Sequence, residues 1–530
     1  MDFNSRRSMV LARRGMVATS NPLAAQAGLN ILRNGGNAAD AAIATAAVLN
    51  VTEPASTGVG GDCFALYFDA KTKAVTALNG SGRAPANLHL DHLRRQPYID
   101  PWSANAVTVP GTVAGWHDLL ERHGRMSLKE VLVDAIHYAR DGFPVAPLFG
   151  GSWQHAESFL HSRPNTDEYL PNGSAPKVGQ VVRLSSLAYT LQSIAEGGPE
   201  AFYAGPIAEA IVSTLQSMGG VMTLDDLHQH RSTWETPIAA DYRGVTVYEC
   251  PPNGQGLAAL QALNIAAGWD LGAMRWDSPE RLHLMVEAMR LAFADARQYI
   301  ADNSTNPAPI DFLLSQSYAS QRRAMVSSSY AMQPPSFGVP LPASDTVYLT
   351  TADGEGNACS FINSLYMGFG TGIVAKGTGV FLQNRGSLFE LDPNHPNVLA
   401  PGKRPYHTII PGMALRHSDL WSSFGVMGGF MQPQGHFQVL SAMLDDGLNP
   451  QEALDRPRFC LEDGTGDSIL AVEEGIPRLT MTRLAELGHR VRPVSGEARG
   501  MFGRGQIINR EADVLWGGSD PRGDGLVASF

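Results

Sequence analysis

The sequence is poor in charge, in cysteine and in long apolar runs. Charged residues make up 17% of the 530 residues, and acidic residues outnumber basic ones by 51 to 40, for a net charge of −11. Because there is no basic surplus to neutralise phosphates, nucleic acid is excluded as a partner. The four cysteines, at positions 63, 250, 359 and 460, lack the spacing of a metal site or a disulfide framework. They are interpreted as small buried hydrophobic residues in a reducing compartment.

No apolar run approaches the roughly 20 residues that a membrane-spanning helix needs, so we expect no contact with a membrane. The start of the chain, MDFNSRRSMVLARRGMVATS, carries positive charge but no apolar stretch of signal-peptide length. These two absences predict a cytoplasmic protein. What the chain does have is 44% hydrophobic residues and 55 glycines. This composition is sufficient for a large core that is crossed by many tight turns.

Helix and strand signals alternate along the first part of the chain. The segment NPLAAQAGLNILRNGGNAADAAIATAAVLNVTEP predicts two helices, with Asn37 capping a second helix that is apolar on every side and therefore buried. A glycine-rich turn then leads into a strand in which Phe64, Leu66 and Phe68 share one face. The next strand ends in a loop that holds Ser81 and Arg83. Residues 105–330 are predicted to be mostly helical.

Two histidines in this helical region, His228 and His230, are separated by one residue. A metal site needs further ligands, and the sequence places no carboxylate partner beside them. The pair is therefore interpreted as a solvated turn, and we expect the protein to use neither a metal nor a cofactor.

A proline-rich stretch, QPPSFGVPLPAS, is followed by Asp345 and Thr346 and then by the run VYLTTADGEGNACSFINSL. The run predicts a strand, a turn at DGEGN and a returning strand. Because proline cannot donate to a β-ladder, the preceding stretch is expected to be an exposed, irregular connection. Thr346 would thus open a buried strand directly after an accessible loop.

Cleavage between Asp345 and Thr346 would give Thr346 both a hydroxyl and a free α-amine. The pKa of an α-amine is ordinarily about 7.7–8.0, so the amine can act as the base for the adjacent hydroxyl. The alternative is an ordinary threonine at the start of a strand. Gly428 and Gly429 also allow two interpretations. Their backbone amides could form an oxyanion hole, or the pair could simply form a tight turn.

The chain is identified as a member of the γ-glutamyltranspeptidase family of N-terminal-nucleophile hydrolases, over nearly its whole length. The stretches that carry this resemblance are ILRNGGNAADAAIATAAVLNVTEP, GVGGDCFALYF, GRAPA, IAEGGPEAFYAGPIAEAI, PPNGQGLAALQALNI, DTVYLTTADGEGNA, GFGTGI, GKRP, VMGG and SDPRGDGL. The resemblance implies an α+β fold, a four-layer αββα sandwich, made as one precursor. It also implies self-cleavage into a large subunit, 1–345, and a small subunit, 346–530, which stay together as one intertwined heterodimer. A higher oligomer is possible on this resemblance.

Position by position, the resemblance implies Thr346 as nucleophile and Asp345–Thr346 as the cleavage site. It implies that the amides of Gly428 and Gly429 hold the oxyanion and that the Ser364 hydroxyl supports the nucleophile. Thr408 matches the second of two serines that line the acyl site.

The chain departs from the family pattern at the residues that hold a γ-glutamyl group. Ser81 stands where the family has an arginine for the α-carboxylate, and Ser387 stands where it has an aspartate for the α-amine. Tyr366 replaces an asparagine near the acyl pocket, and His407 replaces the first of the two serines. Losing charged partners of this kind usually changes specificity strongly.

We therefore expect a threonine amidohydrolase that acts on a small, carboxylate-bearing acyl group such as that of oxamate. Tyr366, His407, Thr408, Arg83 and Arg385 are the candidate substrate-binding residues, although either arginine could instead brace a loop. The alternatives are a γ-glutamyl hydrolase or transferase acting on glutathione, a β-lactam side-chain acylase, and a non-catalytic binding module. The intact DT, GG and GKRP elements argue against the last of these.

Overall fold

Two antiparallel sheets lie face to face in the computed structural model, which describes residues 7–332 and 345–530. The strands are β1 (Val10–Ala12), β2 (Gly15–Thr19), β3 (Asp62–Asp69), β4 (Ala74–Gly80), β5 (Phe143–Pro144), β6 (Val181–Val182), β7 (Thr233–Glu235), β8 (Ile238–Tyr242), β9 (Val245–Glu249), β10 (Asp345–Asp353), β11 (Ala358–Tyr366), β12 (Val374–Ala375), β13 (Val380–Phe381), β14 (Gly412–Arg416), β15 (Asp419–Val426), β16 (Phe459–Leu461), β17 (Leu470–Glu473), β18 (Val491–Val494), β19 (Gly505–Glu511), β20 (Val514–Ser519) and β21 (Leu526–Ser529).

The helices surround these strands. They are α1 (Pro22–Arg33), α2 (Ala38–Thr52), α3 (Thr112–His123), α4 (Leu128–Val131), α5 (Val133–Asp141), α6 (Pro147–His155), α7 (Glu157–His161), α8 (Ser185–Tyr203), α9 (Pro206–Ser217), α10 (Leu224–His228), α11 (Gly256–Ala266), α12 (Pro279–Tyr299), α13 (Ile310–Leu313), α14 (Gln316–Arg323), α15 (Met431–Leu444), α16 (Pro450–Asp455) and α17 (Arg478–Glu486). Within the parts of the chain that the structure describes, no helix has the length and apolarity to cross a membrane.

The first sheet has the strand order β1–β20–β19–β15–β14–β9–β8, and the second has the order β21–β2–β10–β11–β3–β4–β7. Both sheets therefore combine strands from before and after position 345. Helices α1, α2 and α3 pack on the outer face of the second sheet, and α11, α15 and α16 pack on the outer face of the first. The expected four-layer αββα sandwich is confirmed.

Three apolar cores correspond to the three layer boundaries. One core fills the space between the second sheet and its helices, one lies between the first sheet and its helices, and a third lies between the sheets. Strand β3 shows how the pattern works, since Phe64, Leu66 and Phe68 enter the inter-sheet core while Ala65 and Tyr67 face the helices. The two-residue period of a strand, with both faces covered, thus explains why β3 is apolar between its two terminal aspartates.

Local signals explain where several helices begin and end. Asn37 forms a capping box with Asp40 at the start of α2, which is buried along its whole length. Ser127 caps α4, and the chain stops being helical at Gly142, whose φ is +104°. The strands β7, β8 and β9 lie inside the region predicted to be mostly helical. Strands β7 and β8 form edges of the two sheets, and β9 pairs with β8.

Candidate active site

Thr346 is the second residue of β10, and its side chain is fully buried. Asp345 pairs with Tyr366 of β11 while Val347 pairs with Asn363, so the register shifts at Thr346. A bulge of this kind redirects a side chain at the end of a strand. Thr346 Oγ1 lies 3.2 Å from Ser364 Oγ, and the backbone amide of Tyr366 donates to Ser364 Oγ at 2.8 Å. The structure therefore brings the predicted nucleophile and its predicted supporting hydroxyl together.

Tyr366 ends β11 in the left-handed region, with φ of +81°. A non-glycine residue in this region carries backbone strain of roughly 1–3 kcal/mol, which is often found at functional sites. Its ring lies beneath the Arg385 guanidinium, 4.6 Å from ring centroid to Cζ. Its hydroxyl is buried and has no hydrogen-bond partner among the residues that the structure describes.

Arg385 is fully buried at the start of a short 3₁₀ turn, Arg385–Leu388. Its Nη1 donates to Thr408 Oγ1 at 2.7 Å, whereas Nε and Nη2 find no partner in the described chain. Burial lowers the pKa of Arg385 to about 10, and the nearby Asp62 carboxyl opposes this shift. A guanidinium that keeps its charge in a dry site, with donors free, is suited to bind an anion.

Gln255 joins Thr408 to the glycine pair. Its Nε2 donates to the carbonyl oxygens of Thr408 at 2.6 Å and Gly429 at 2.8 Å. Its Oε1 accepts a hydrogen bond from the Tyr406 hydroxyl at 3.0 Å. Sequence reasoning did not single out Gln255, and only its place in the stretch PPNGQG hinted at it.

Gly428 and Gly429 follow β15 and precede α15, with φ values of +117° and +57°. No residue that the structure describes accepts a hydrogen bond from either amide. The two amides are therefore available as donors, as an oxyanion hole requires. That role stays a prediction.

The two sheets carry Thr346 and the glycine pair to the same end of the sandwich. Thr350 Oγ1 donates to Ser423 Oγ at 2.6 Å, and the Tyr348 ring packs so tightly on Gly425 that a Cβ there would lie 2.5 Å from it. Each step of two residues back along β10 thus matches two residues forward along β15. The start of β10 and the end of β15 therefore lie at the same end of the sandwich, and Gly428 and Gly429 follow that end of β15.

Asp62 is a buried residue of this site that sequence reasoning missed. It begins β3 and pairs directly with Ser364 of β11, so the two side chains project from the same face of the sheet. Its Oδ1 accepts from the Gly82 amide at 2.9 Å and from Gln383 Nε2 at 3.0 Å. Burial raises the pKa of Asp62 to about 7, and the charge of Arg385 partly offsets this rise.

His407 has both ring nitrogens engaged. Its Nε2 lies 3.1 Å from Asp62 Oδ2, and its Nδ1 accepts from the Ile409 amide at 3.3 Å. Burial holds the pKa of His407 well below its usual range, and the charges of Arg385 and Arg404 act in the same direction. The ring is therefore neutral and donates from Nε2 to Asp62. His407 contacts the site through Asp62, while its role in substrate binding stays a prediction.

Ser81 and Ser387, which the resemblance matches to charged residues of the family, each donate to a neighbouring group. The Ser81 hydroxyl donates to Asn79 Oδ1 at 2.8 Å, and the Ser387 hydroxyl donates to the Asn384 carbonyl at 2.8 Å. Arg83 Nη1 donates to Asp302 Oδ2 at 3.2 Å and to the Gly402 carbonyl at 3.1 Å. Arg83 thus holds a loop, and its part in substrate binding stays a prediction.

The prediction of a solvated turn at the paired histidines was wrong for one of them. His228 is exposed, but His230 is buried and stacks on Tyr203, with ring centroids 5.6 Å apart. Burial lowers the pKa of His230 to about 3, which keeps it neutral. Tertiary packing by α8 decides this outcome, and no local signal announces it.

A second group of possible metal ligands lies elsewhere, where single ligand atoms of His283, Glu287 and His489 come within 4.8 Å of one another. His283 Nδ1 lies 2.8 Å from His489 Nε2, and Glu287 accepts from Arg290 and from the Met332 amide. These groups satisfy one another within the protein, so we assign them no metal.

A sequence profile described as gamma-glutamyltranspeptidase matches residues 24–530. The glutathione hydrolase-like YwrD proenzyme of Bacillus subtilis is 40% identical over 98% of this chain and 99% of its own. The oxamate amidohydrolase proenzyme of Klebsiella pneumoniae is 34% identical over 98% of this chain and 99% of its own.

Solved structures agree with these sequence relatives. The crystal structure of cephalosporin acylase from Bacillus halodurans superposes with a TM-score of 0.94, at 45% identity, over 100% of this chain and 98% of that one. Sequence and structure therefore agree that the chain is a hydrolase and belongs to the gamma-glutamyltranspeptidase family.

Proposed function

We propose that the protein is a self-processing amidohydrolase that cleaves the amide of a small acyl group carrying a carboxylate, with oxamate as the model substrate. Thr346 is the nucleophile, and Arg385 receives the carboxylate of the acyl group. The observation that carries the proposal is Arg385 itself. It is fully buried, it has two nitrogens without a partner in the described chain, and it is connected to Thr346 through Tyr366 and Ser364.

The contacts of Arg385 support the proposal of a small acyl group. From Arg385, one path runs through Tyr366 and Ser364 to the Thr346 hydroxyl, and another runs through Thr408 and Gln255 to Gly429. The proposal takes a carboxylate bound by Arg385 to lie next to the carbonyl that Thr346 attacks. In oxamate these two carbons are directly bonded. Arg385 is preferred over Arg83 as the receptor, because Arg83 already pairs with Asp302.

The chemistry proceeds by acyl transfer to Thr346. After cleavage at Asp345–Thr346, the Thr346 hydroxyl attacks the amide carbon and its proton passes to the new α-amine. The tetrahedral intermediate collapses as the C–N bond breaks, and the leaving nitrogen takes the proton and departs as ammonia. Water then attacks the ester carbon, the ester bond breaks, and the hydroxyl of Thr346 is restored. For oxamate the products are oxalate and ammonia.

Backbone amides stabilise the negative charge that develops on the carbonyl oxygen. Gly428 and Gly429 supply them, since both residues adopt positive φ and their amides are not committed within the described chain. Ser364 orients the Thr346 hydroxyl through the 3.2 Å contact between the two oxygens. A preorganised site of this kind lowers the barrier without rearrangement during the reaction.

A γ-glutamyl substrate lacks charged partners at the positions that the family uses. Ser81 and Ser387 are buried and bonded to neighbouring groups, so neither offers a charge to the α-carboxylate or the α-amine. A hydrogen bond to a charged group contributes about 1.5–3 kcal/mol, so two such losses would lower specificity by roughly two to four decades.

The test compares initial rates of amine release, which are ammonia from oxamate, the aniline from a γ-glutamyl anilide and the amino-β-lactam from a β-lactam side-chain amide. We expect the highest kcat/KM for oxamate, and Arg385→Met should lower it by at least about 100-fold. Arg83→Met is the matched control and should leave it within about threefold. If the γ-glutamyl substrate is faster by orders of magnitude, or if Arg385→Met has no effect, the proposal is wrong.

A further inference from the structure

We propose that Asp62 is a positioning and specificity-determining residue of the acyl pocket, which sets the net charge that Arg385 presents to the substrate. The inference rests on the proposed function, since it takes Arg385 to be the receptor of the substrate carboxylate. Asp62 has no role in the proposed function as stated above, and here it affects specificity through Arg385 and His407.

Asp62 bridges the two chain segments that carry the proposed carboxylate site. Its Oδ1 accepts from Gln383, two residues before Arg385, and its Oδ2 accepts from His407, the residue before Thr408. Arg385 and Thr408 are themselves joined by a 2.7 Å hydrogen bond. Asp62 thus contacts the chain segments on both sides of that bond.

The position of Asp62 in the sheet places its charge at the reacting end of the molecule. Asp62 is the cross-strand partner of Ser364, whose hydroxyl contacts Thr346. Cross-strand partners have Cβ atoms about 4.5–5.5 Å apart, on one face of the sheet. The acid is fully buried, so water does not screen its charge from Arg385.

The charge of Asp62 therefore decides how strongly the pocket attracts an anion. When Asp62 is protonated, Arg385 leaves the pocket with a net positive charge. When Asp62 is ionised, it neutralises Arg385 and repels a carboxylate. Burial raises the pKa of Asp62 to about 7, so both forms occur near neutral pH. A bound carboxylate favours the protonated form further, and binding is accompanied by proton uptake.

The charged and titratable groups around Asp62 are few. In the loops, Arg385 and Arg404 interact electrostatically with Asp62, and His407 contacts its carboxylate. Cys63 is its neighbour on β3, and Tyr203 of α8 interacts electrostatically with it. Burial keeps His407 neutral, and it raises the pKa of the Cys63 thiol and of the Tyr203 hydroxyl. Within the described chain, Asp62 is therefore the group of this set that changes charge near neutral pH.

The experiment measures kcat/KM of the processed enzyme for oxamate and for its neutral analogue oxamide, between about pH 5.5 and 8.5. The ionisation of the Thr346 α-amine affects both values equally, because both substrates need the same base, so its effect cancels in their ratio. We expect the ratio to be high at low pH and to fall at least about tenfold as pH rises through 7 and above. In Asp62→Asn the ratio should stay high across this pH range, so that at about pH 8 it exceeds the wild-type ratio.

Control variants distinguish a specific effect of Asp62 from a loss of structure and from a failure of the proposed function. Asp353→Asn removes a buried carboxylate at the far end of β10 and should retain the wild-type profile. Asp62→Ser is a second charge-removing variant, to be used if Asp62→Asn does not mature. A flat wild-type ratio, or a fall that persists in the Asp62 variants, would overturn the inference. If wild type does not favour oxamate and Arg385→Met changes nothing, the proposed function itself fails.

Discussion

Thr346 Oγ1 and Ser364 Oγ lie 3.2 Å apart on neighbouring strands at a register shift. The Ser364 hydroxyl also accepts a hydrogen bond from the backbone amide of Tyr366, so the orientation of the Ser364 side chain is fixed before any substrate binds. The strand end thus presents a nucleophile whose oxygen already has a directed partner. Backbone pairing between the strands holds this arrangement in place. Single side-chain substitutions can therefore test the contribution of each group.

Ser364→Ala should slow turnover by roughly three- to tenfold, because a neutral hydrogen bond contributes about 0.5–1.5 kcal/mol. The variant removes the partner of the Thr346 hydroxyl and the acceptor of the Tyr366 amide. Ser360→Ala is a suitable control, since Ser360 lies on the same strand and contacts the Tyr348 hydroxyl at 2.7 Å. Steady-state kinetics on both processed variants decide the matter. An equal decrease in turnover in the two variants would show that Ser364 has no specific role in the site.

Gly428→Val should retain the fold but lower kcat by roughly 10²–10³, the usual effect of losing one oxyanion donor. Its φ of +117° disfavours any side chain, and a Cβ would lie 3.3 Å from Met431 Cβ, so the amide would shift. Gly447→Ala is the control, because its φ is +66° and a Cβ there meets nothing within 4 Å. A Gly428→Val enzyme with normal turnover would reject the oxyanion assignment.

Asp62 should also affect the pH dependence of folding stability. Burial raises its pKa to about 7, so the folded protein holds this proton between about pH 4 and 7 while the unfolded chain releases it. Wild type should therefore lose stability relative to Asp62→Asn as pH rises through this window, by at most about 4 kcal/mol. Denaturant unfolding at several pH values measures the gap between the two proteins.

Asp520 provides a control of opposite sign for that measurement. Burial raises the pKa of its carboxyl, but the charges of Arg458 and Arg522 outweigh burial and hold the pKa below its ordinary value. Its contribution to stability is thus present above the ordinary pKa and is lost as pH falls. Asp520→Asn should be less stable than wild type at neutral pH, and the gap should narrow in acid. If the Asp62 and Asp520 variants respond alike, the predicted sign for Asp62 is wrong.

Elements with strong local signals could be predicted from the sequence. The hairpin of β10 and β11 follows from alternating residues around DGEGN, and α2 follows from the Asn37 capping box. These signals are contained within a few neighbouring residues. The resemblance to a family then supplied the αββα layers, which local patterns alone do not define.

What the sequence did not reveal depends on contacts between distant segments. Asp62 and His407 are 345 positions apart, and their hydrogen bond exists only once β3 meets the loop after GKRP. Gln255 likewise gains its role by reaching the carbonyls of Thr408 and Gly429. His230 was assigned to solvent because nothing nearby in sequence indicates the Tyr203 ring that covers it. Such pairs carry no periodic or turn signal.

Thr346→Ala should remain a single chain, because no hydroxyl is left to attack the preceding carbonyl carbon. Thr346→Ser should mature, since it keeps a hydroxyl at the same position. The comparison is made by denaturing gel electrophoresis after prolonged incubation. Fragmentation of Thr346→Ala at the wild-type position would show that Thr346 does not drive its own release, and an uncleaved Thr346→Ser would argue against a simple requirement for a hydroxyl.

In the proposed maturation, Thr346 becomes a new N-terminus and then acts as the nucleophile. Intact mass and N-terminal sequencing of the purified, active protein should give fragments of 345 and 185 residues, the second being 530 less 345, with Thr346 as the first residue of the smaller one. An active enzyme that remains one chain, or whose new terminus lies at another residue, would show that Thr346 is not an N-terminal nucleophile.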